Sequence, residues 1–578
     1  MNGIGRDSRR RLSRERGNLL VIGGALSLAL GAYFWRLYLL RVRYFDMDEF
    51  EHLHAAWCIS KGLLPYRDFF EHHTPWLYFF LAQFFRFYDV DTKVADAQAF
   101  LFFARTWMWI FAGVILVWTF WLGRLWRDAR VGCVAALFLG NTLMFLDKTI
   151  EVRPDVPSVA FWLACLVAVV RGIREEETGR KSRWRFAWSG IFLGAAVMCT
   201  QKMLFALPGF GLAMLWYLLD PRSRGTRRQR FWNVVYQVLG FCLPVLLTLG
   251  YFAVRGALGE FFEYNFLINL RWKYRFPPTF QLKQLVKDNP ILVGLAVSGF
   301  FSALWDAFGR ERFRRGEFVY VLSALGLFGG LFIIQVPHRQ YYLMFLPLGA
   351  VFASGAFLEA MGWAAAAVRG ERARSARSVL YIVTGTCAFV ALVILALKMS
   401  RPHFLNDLMD ANDWLPSTFR AEMWLVALVS AAVCLLFRRE NLAAAVLLAG
   451  LSLYPFRIML DDVHDTNTTT LNEIRYVLQN TSPTDTCLDG WTGLGVFRPH
   501  AWFYWFLHGE VRAMLSERTK NELVANLRSG SIAPKLIFYD QDLKGLTETA
   551  QFFEKRYEST GEGPIRRRRG CSAGESQK

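Results

Sequence analysis

Residues 19–49 read LLVIGGALSLALGAYFWRLYLLRVRYFDMDE, an apolar block followed directly by acidic residues. The apolar part, residues 19–40, is long enough for one helix to cross a bilayer core of about 30 Å, which takes about 20 residues. Arginines between Arg9 and Arg16 precede the block, as they do in a signal peptide. The length of the block and the lack of a small-residue cleavage site predict instead a retained signal-anchor helix.

Similar apolar blocks recur along most of the chain. With the first block, they cover residues 19–40, 99–122, 131–145, 156–170, 186–200, 203–219, 231–254, 291–308, 318–336, 341–361, 379–397, 421–437 and 442–453. The sequence therefore predicts an all-α polytopic membrane protein with about 13 transmembrane helices.

Composition excludes several classes of protein. Of the 578 residues, 54% are hydrophobic and only 20% are charged, and the mean hydropathy is +0.23. Soluble domains carry about 25% charged residues, so an ordinary cytosolic enzyme is excluded. The nine cysteines form no CxxC motif and indicate neither a disulfide scaffold nor a zinc site.

The distribution of charge predicts the orientation in the membrane. A net charge of +19 would by itself suggest a nucleic-acid partner, but the arginines concentrate in short connectors that the positive-inside rule places in the cytoplasm. The N-terminus, residues 1–18, belongs to that set. The alternate connectors carry carboxylates, histidines and aromatic residues and are expected on the outer side: residues 41–98, 146–155, 255–290, 337–340 and 398–420. No nucleic-acid partner is therefore expected.

The part of the chain after the last apolar block differs in character. The transmembrane domain, residues 19–453, is followed by residues 454–560, with a strand candidate at 535–539 (KLIFY) and a helix candidate at 520–527. These features predict a small extracytoplasmic α/β domain. Residues 561–578, which include four consecutive arginines, predict a disordered basic tail.

The first outer loop, residues 41–98, concentrates acidic residues directly after the first apolar block. It contains Asp48 and Glu49, and later His73 before another apolar run. The spacing of apolar residues over 49–59 predicts a helix that lies along the membrane interface. Partial desolvation there raises the pKa of carboxylates and makes them candidate proton acceptors. The alternative is a solvated loop that is merely acidic.

Three further outer connectors carry residues that suit a shared polar site. Each also has a purely structural alternative: an Arg–Asp pair that caps a helix for residues 151–155, a lysine that reaches toward the interface for Lys202, and an aromatic belt with one arginine for residues 336–347. An arginine can instead grip a phosphate with two parallel hydrogen bonds. The candidate residues are Glu151, Arg153, Asp155, Lys202, His338, Arg339 and Tyr341.

The order of these motifs resembles the GT-C superfamily of integral-membrane glycosyltransferases, in particular the bacterial branch related to protein O-mannosyltransferases and to the aminoarabinose transferase of lipid A. The resemblance spans nearly the whole chain. Its most specific element is the Asp48-Glu49 pair after the first span. Members of the family often have Lys-Pro-Pro where the loop re-enters the membrane; this chain has His73-Thr74-Pro75, which makes His73 the candidate substitute for the lysine. The other matching stretches are G-x-x-P-Y-x-D from Gly62, E-x-R-P-D from Glu151, T-x-K from Thr200 and H-R-x-Y-Y from His338.

The resemblance implies a hexosyl- or pentosyltransferase that moves a sugar from a polyprenyl-phosphate donor to an acceptor hydroxyl on the outer face of the membrane. Asp48 is the expected general base of an inverting displacement, and Glu49 or Glu151 is expected to orient Asp48 or the acceptor. The expected donor-phosphate site comprises His73, Glu151, Arg153, Asp155, Lys202, His338, Arg339 and Tyr341.

The resemblance also implies partners and a location. The partners are the lipid-linked donor, membrane lipid and a glycan, lipid or protein acceptor, and the expected location is the bacterial inner membrane. No cofactor is expected, since the mannosyltransferase-like branch generally uses no metal. Asp48 could alternatively coordinate a divalent cation, because hard cations favour oxygen ligands.

The main alternative is a polytopic transporter or flippase for a lipid-linked or anionic substrate. Ionisable residues inside membrane segments also mark transport pathways, and many transporters contain inverted repeats. Here no repeat is visible, and apart from Arg105 the informative charges lie in connectors. A non-catalytic assembly factor would leave the acidic pair and the outer basic residues without a joint role. The pattern favours the transferase.

Overall fold

The computed structural model describes residues 4–221, 225–273, 275–307, 316–368, 430–431, 434, 440–461, 463–464 and 466–570. The predicted apolar block 379–397 and nearly all of block 421–437 lie outside these residues. The predicted connectors 310–315, 369–377, 398–420 and 438–439 lie outside them as well.

Helices make up most of the described chain. In the first half they are α1 Ile4–Val42, α2 Met47–Ser60, α3 Trp76–Ala82, α4 Val94–Trp126, α5 Ala129–Gly140, α6 Leu143–Lys148, α7 Asp155–Glu177, α8 Arg183–Cys199, α9 Leu207–Leu219 and α10 Arg227–Val254. The next are α11 Leu258–Phe262, α12 Ile268–Leu270, α13 Thr279–Asp288, α14 Pro290–Ala307, α15 Glu317–Gly330, α16 Leu346–Val368 and α17 Glu440–Asp461. Two 3-10 helices, Gln201–Ala206 and Arg339–Met344, precede α9 and α16.

The eleven predicted apolar blocks that fall on described residues each overlap a helix, which confirms the polytopic all-α architecture. Residues 331–336 of block 318–336 form turns and bends instead. By length and composition, six helices of the described residues can cross a membrane; they lie at Val21–Val42, Val94–Trp126, Asp155–Glu177, Gln201–Leu219, Arg227–Val254 and Leu346–Ala366. A seventh span arises if α13 and the following helix, bent by 110°, are counted together. The sequence prediction of about 13 transmembrane helices is higher because it also counted shorter apolar helices such as α5 and α15.

Small residues let the helices of the bundle approach closely. Gly190 in α8 and Gly240 in α10 face each other's backbones: a Cβ at Gly190 would overlap the carbonyl oxygen of Gln237, and one at Gly240 would overlap that of Ala187. Helices in a bilayer gain little from the hydrophobic effect, so such close packing of small residues is a main source of their association. The α8–α10 pair is therefore a rigid support behind the polar connectors.

Helix α2 lies inside the protein. The sequence correctly predicts a helix here, but its placement along the membrane interface is wrong, because residues 49–58 are all buried. The reason is a cover supplied by the C-terminal domain: the ring of Trp505 stacks on His54 at 3.7 Å between centroids, and Gly493 packs against Phe50. The apolar face of α2 is therefore satisfied by protein and not by lipid.

The C-terminal region is the predicted small α/β domain. Its helices are α18 Thr468–Asn480, α19 Gly509–Met514, α20 Glu517–Ser529, α21 Gln541–Lys544 and α22 Thr547–Arg556, and its strands are β1 Cys487–Asp489, β2 Leu536–Phe538, β3 Tyr557–Ser559 and β4 Ile565–Arg568. The sheet order is β1-β2-β4-β3, with β1 and β2 parallel and the other pairs antiparallel. The strand and helix candidates at 535–539 and 520–527 correspond to β2 and α20.

Two predicted boundaries of this domain differ from the structure. The boundary at residue 454 falls inside α17, which continues to Asp461. The disordered tail predicted from residue 561 is wrong for residues 565–568, which form β4 at the centre of the sheet. A run of four arginines is typical of a solvated, disordered segment. In the structure a neighbouring strand pairs with it on each side, and the ring of Tyr539 packs 4.0 Å from the guanidinium of Arg566. Residues 571–578 lie outside the described part of the chain.

Candidate active site

Two carboxylates at the start of α2 share one arginine. Asp46 is the N-cap of α2: its Oδ1 accepts a hydrogen bond from the Asp48 backbone N–H at 3.1 Å. Arg153, in the connector between α6 and α7, donates from Nη1 to Oδ2 of Asp48 at 2.8 Å and from Nη2 to Oδ1 of Asp46 at 2.9 Å. Charge-assisted bonds from a planar guanidinium fix geometry as well as adding energy. The connector of α6–α7 thus holds the loop after α1.

Glu49 is enclosed by protein donors. Its two carboxylate oxygens accept from Arg105 Nη2 at 2.6 Å and from Arg105 Nε at 2.8 Å, and Oε2 also accepts from the Val152 backbone N–H at 3.1 Å. Both side chains are almost completely buried. Both carboxylate oxygens of Glu49 are thus already bonded to protein donors, and its expected catalytic role stays a prediction. Glu49 positions α2, and Arg105, the charge inside α4, is its partner.

A second cationic group lies next to Arg153. Lys148 Nζ is 2.7 Å from Oε1 of Glu151 and 3.5 Å from Oδ2 of Asp46, and Glu151 also pairs with Arg153 Nε. Glu151 was expected to bind donor phosphate or to orient the base. In the structure its carboxylate pairs with both Lys148 and Arg153. Its expected role at the donor phosphate stays a prediction.

Burial and pairing act in opposite directions on these carboxyl groups. Burial alone would raise the pKa of Asp48, but the ion pair and hydrogen bond with Arg153 outweigh it and hold that pKa well below its usual range. Burial raises the pKa of Glu151 to about 7, although Arg153 and Lys148 lower it in part. The expectation that desolvation raises the pKa values of carboxylates in the first outer loop is wrong for Asp48, because sequence alone did not reveal that Arg153 is its partner.

Lys202 and Arg339 approach the acidic cluster from other connectors. Lys202 lies in the 3-10 helix after α8, with Nζ 3.3 Å from both carboxylate oxygens of Asp155 and 4.4 Å from the centre of the Tyr341 ring. Arg339 Nη1 is 3.4 Å from Oδ2 of Asp147, and the Arg339 side chain is 43% exposed. Arg339 is therefore the more accessible cation, and Asp155 is the counter-ion of Lys202. The expected part of Asp155 in phosphate binding stays a prediction.

The loop between α2 and α3 contributes a group of histidines and glutamates. His73 Nδ1 is 3.0 Å from Oε1 of Glu71, and His72 Nδ1 is 3.4 Å from Oε1 of Glu51. Burial lowers the pKa of the His73 imidazole well below its usual value, so His73 is uncharged at neutral pH. Burial, with the neighbouring Glu51, raises the pKa of Glu71 to about 8. A neutral His73 does not replace the positive charge of the lysine common in the family.

His338 faces the C-terminal domain. Its Nε2 is 3.5 Å from Oε1 of Glu510, and the Nε1–H of Trp272 donates to Oε2 of the same carboxylate at 3.1 Å. His338 thus contacts Glu510 of the C-terminal domain, and Glu510 in turn binds Trp272 in the connector between α12 and α13. The other predicted residues converge on the ends of α1, α6 and α8.

Comparison with known proteins supports this architecture. Residues 73–248 match the family model of dolichyl-phosphate-mannose-protein mannosyltransferase. The whole chain is similar in structure to ArnT from Cupriavidus metallidurans bound to undecaprenyl phosphate, with 15% sequence identity, a TM-score of 0.57 and coverage of 94% of this chain and 96% of that one. The fold is that of the GT-C glycosyltransferases.

Two further structures share the GT-C fold with this chain. ArnT from the same organism in the apo state matches with a TM-score of 0.54 at 14% identity, covering 89% of this chain and 91% of that one. The oligosaccharyltransferase of Archaeoglobus fulgidus, tethered to an acceptor peptide, matches with a TM-score of 0.50 at 13% identity, covering 93% of this chain and 73% of that one. No protein with a curated description matches the chain by sequence.

Sequence reasoning about the GT-C site missed several charged groups. Asp147 and Lys148 lie in the same connector as Glu151, and Asp147 binds Arg43 at the end of α1. The signal that could have identified them is their position inside the predicted outer connector 146–155, three or four residues before Glu151. Glu510 had no such signal, since it comes from a distant part of the chain and only the fold brings it close.

One group in the described part of the chain has the composition and spacing of a metal site. Glu51, Glu71, His72 and His73 each offer a ligand atom, and these atoms all lie within 4.8 Å of one another. Asp48, the residue considered for a cation from the sequence, is instead paired with Arg153. A divalent ion would therefore find its ligands around the histidines.

Proposed function

We propose that this protein transfers a sugar from a polyprenyl-phosphate donor to an acceptor hydroxyl, with inversion at the anomeric carbon. The observation that carries the proposal is the position of Asp48. It is a carboxylate about one quarter exposed, held beside Arg153 where four polar connectors of a GT-C bundle meet. The family model and the undecaprenyl phosphate bound to the similar ArnT support a lipid phosphate as the leaving group.

The proposed reaction is a single displacement. The acceptor oxygen forms a bond to the anomeric carbon on the face opposite the phosphate, the bond between that carbon and the phosphate oxygen breaks, and its electron pair stays on the phosphate. The hydroxyl proton passes to Asp48. Oδ2 of Asp48 is occupied by Arg153, and among the described residues no donor bonds to Oδ1, which leaves Oδ1 for the acceptor.

A carboxylate with a lowered pKa can serve as this base. Arg153 keeps Asp48 ionised, so the group is always in its proton-accepting form. Transfer of a glycosyl group passes through an oxocarbenium-like transition state, in which bond breaking leads and the attacking hydroxyl becomes acidic only as the new bond forms. A weak, well-placed acceptor of the proton then suffices.

Cations are proposed to receive the leaving phosphate. Arg339 is exposed, and among the described residues its guanidinium pairs only with Asp147, at 3.4 Å, so it is available for two hydrogen bonds to phosphate oxygens. Lys202 adds a charge that is held in place by Asp155 and Tyr341. Fixed charges aimed at developing negative charge contribute about 2.7–4 kcal/mol each in comparable sites. Arg339 and Lys202 supply the stabilisation of the leaving phosphate, and no cofactor takes part in the proposed step.

The same proposal includes the side of the membrane on which transfer takes place. The arginine-rich connectors predict the cytoplasmic side, and the site residues occupy the opposite set. We therefore place the site and the C-terminal domain on the extracytoplasmic face of a bacterial plasma membrane. Addition of a membrane-impermeant reagent to a single-cysteine variant in the C-terminal domain tests the orientation.

The function is tested with the purified full chain and a panel of polyprenyl-phosphate hexoses and pentoses. Release of polyprenyl phosphate together with glycosylation of an acceptor is expected for the wild type. Asp48→Asn should remove this turnover while expression and folding are kept, and Asp89→Asn, at an exposed carboxylate of the same loop, should not change it. A transporter would move the donor across vesicles without breaking the sugar–phosphate bond. Near-normal transfer by Asp48→Asn would exclude the base assignment.

A further inference from the structure

The four residues Glu51, Glu71, His72 and His73 form a compact group between α2 and the loop that follows it, defined here as the Glu–His cluster. Glu51 comes from α2, and the other three are consecutive in the loop before α3. Glu71 and Glu51 are buried, and the side chains of both histidines are about nine-tenths buried. Of the two carboxyl groups, Glu51 is the one whose ionised form needs a partner, because a buried charge is stable only when it is paired.

The separations within the Glu–His cluster suit a shared ion better than direct hydrogen bonds. His72 Nδ1 lies 3.4 Å from Oε1 of Glu51 and 3.9 Å from Oε1 of Glu71. Both distances exceed the usual hydrogen-bond range of about 2.7–3.2 Å. A tetrahedral zinc ion bound at about 2.0–2.2 Å places its ligand atoms about 3.3–3.6 Å apart. The 3.4 Å separation fits this range. The 3.9 Å separation and the 3.0 Å hydrogen bond between His73 Nδ1 and Oε1 of Glu71 each need an adjustment of a few tenths of an ångström, and the four ligand atoms all lie within 4.8 Å of one another.

The histidine at the centre of the cluster has an unsatisfied nitrogen. Nδ1 of His72 is buried and has no hydrogen-bond partner, although it points toward the two carboxylates. An uncompensated buried polar atom costs about 1–3 kcal/mol. Aromatic rings enclose the imidazole: Phe70 stacks on it at 5.9 Å, and Trp272 lies at 5.7 Å. An apolar shell of this kind around nitrogen and oxygen ligands is characteristic of metal sites.

We propose that the Glu–His cluster binds one divalent transition-metal ion of the zinc class through Glu51, Glu71, His72 and His73. Two imidazole nitrogens and two carboxylate oxygens select such an ion over Mg²⁺ or Ca²⁺, which prefer oxygen ligands alone. Four protein ligands leave no open position, so the site is structural and not catalytic. It is separate from the Asp48–Arg153 pair and does not depend on the proposed transferase reaction.

The position of the cluster indicates what the ion does. Glu51 follows Asp48 by three residues on α2, so the two side chains lie on neighbouring turns of one helix face. The ion would join this turn of α2 to the 71–73 loop, which leads directly into α3. It would thereby hold α2, and with it Asp48, against the polar connectors. Glu51 and the two histidines are positioning residues in this arrangement.

The test measures metal bound to the full-length chain in detergent, without any activity assay. The protein is stripped with a chelator, dialysed, titrated with Zn²⁺ or with Co²⁺ as a spectroscopic substitute, and analysed for metal content and melting temperature. We expect one equivalent of Zn²⁺, visible absorption of tetrahedral Co²⁺, and a higher Tm with metal. Loss of a partner outside the ligand shell weakens metal binding about 10–100-fold, so loss of a ligand should weaken it at least about tenfold.

Two variants and a control make the result decisive. The double variant His72→Ala/His73→Ala removes both nitrogens, whereas Glu51→Gln keeps the size of the side chain and removes one ligand charge. Both should lose the metal-dependent rise in Tm while the metal-free proteins stay folded. His464→Asn, at an exposed histidine outside the cluster, should bind like the wild type. Binding of less than one equivalent by the wild type, or unchanged affinity in Glu51→Gln, would overturn the proposal.

Discussion

The guanidinium of Arg153 joins two carboxylates that flank the first turn of one helix, at 2.8 Å from Asp48 and 2.9 Å from Asp46. It also pairs with Glu151 in its own connector. One side chain thus links the loop after α1 to the start of α7. Several consequences for activity and stability depend on this link.

Replacement of Arg153 by lysine should impair catalysis strongly. A lysine keeps the positive charge but offers no planar fork, so it cannot bridge Asp46 and Asp48 together. We expect kcat to fall about a hundredfold, on the scale of losing one fixed donor. Arg130→Lys, at an exposed pair with Asp128, is the matched control and should change little. Initial rates of polyprenyl phosphate release measure the effect, and an unchanged kcat in Arg153→Lys would contradict it.

Replacement of the exposed Arg339 should weaken binding of the lipid-linked donor. In Arg339→Ala the KM for the lipid-linked donor should rise about tenfold or more, because charge-assisted bonds to its phosphate are lost, each contributing about 1.5–3 kcal/mol. The KM for the acceptor should stay within a factor of two or so. Arg271→Ala, at a more exposed arginine paired with Glu263, is the control. An equal rise of both KM values would indicate a structural role for Arg339.

The lowered pKa of Asp48 has a consequence for pH dependence. Because Arg153 favours the ionised form in the folded protein, the pair stabilises the fold above the unfolded pKa of about 3.9 and this stabilisation is lost as the pH falls further. The wild-type Tm should therefore drop more steeply below about pH 4 than that of Asp48→Asn. Thermal unfolding in detergent between pH 3 and 6 measures the difference; parallel curves would show that Asp48 is not held ionised.

The buried pair of Glu49 and Arg105 should matter for stability. Glu49→Gln leaves the guanidinium of Arg105 buried without its counter-charge, and breaking one side of such a pair costs about 3–5 kcal/mol. The double variant Glu49→Leu/Arg105→Met removes both charges and should recover part of the loss. Tm values of the three proteins, compared at the same detergent concentration, distinguish the cases. A double variant less stable than Glu49→Gln would contradict the interpretation.

Close packing of α8 on α10 predicts a contrast between two glycines. Gly190→Ala should lower the Tm and the yield of folded protein, since the new methyl group would overlap the backbone of α10. Gly211→Ala, in α9, has nothing within 4 Å of its added Cβ and should be neutral or stabilising, by about 0.5–1 kcal/mol. Equal effects of the two substitutions would show that the helices tolerate a wider separation.

The sequence predicted the helical architecture well because each apolar block is a local signal. The run of residues 156–170, for example, corresponds to α7 without any knowledge of its neighbours. The four connectors of the site were also predictable from local sequence, because their charged residues stand out between apolar blocks. The burial of α2 was not predicted, because its cover comes from residues near Trp505, more than four hundred positions later.

Individual roles at the site were less predictable than its location. Asp48 and Glu49 are adjacent in sequence, yet one is partly exposed and the other is enclosed by Arg105. Which of two neighbouring carboxylates meets which arginine depends on the helical phase of α2 and on contacts with α4. Composition and spacing carry no information on that pairing.

The cover over α2 also sets an order of events during synthesis. Helix α2 is translated early, but Gly493 and Trp505, which pack against it, are among the later residues to leave the ribosome. Until they arrive, the apolar face of α2 is open to lipid or to other chains. The nascent protein therefore carries Asp48 long before it acquires the domain that covers α2, and we expect α2 to reach its final position only after the C-terminal domain has docked.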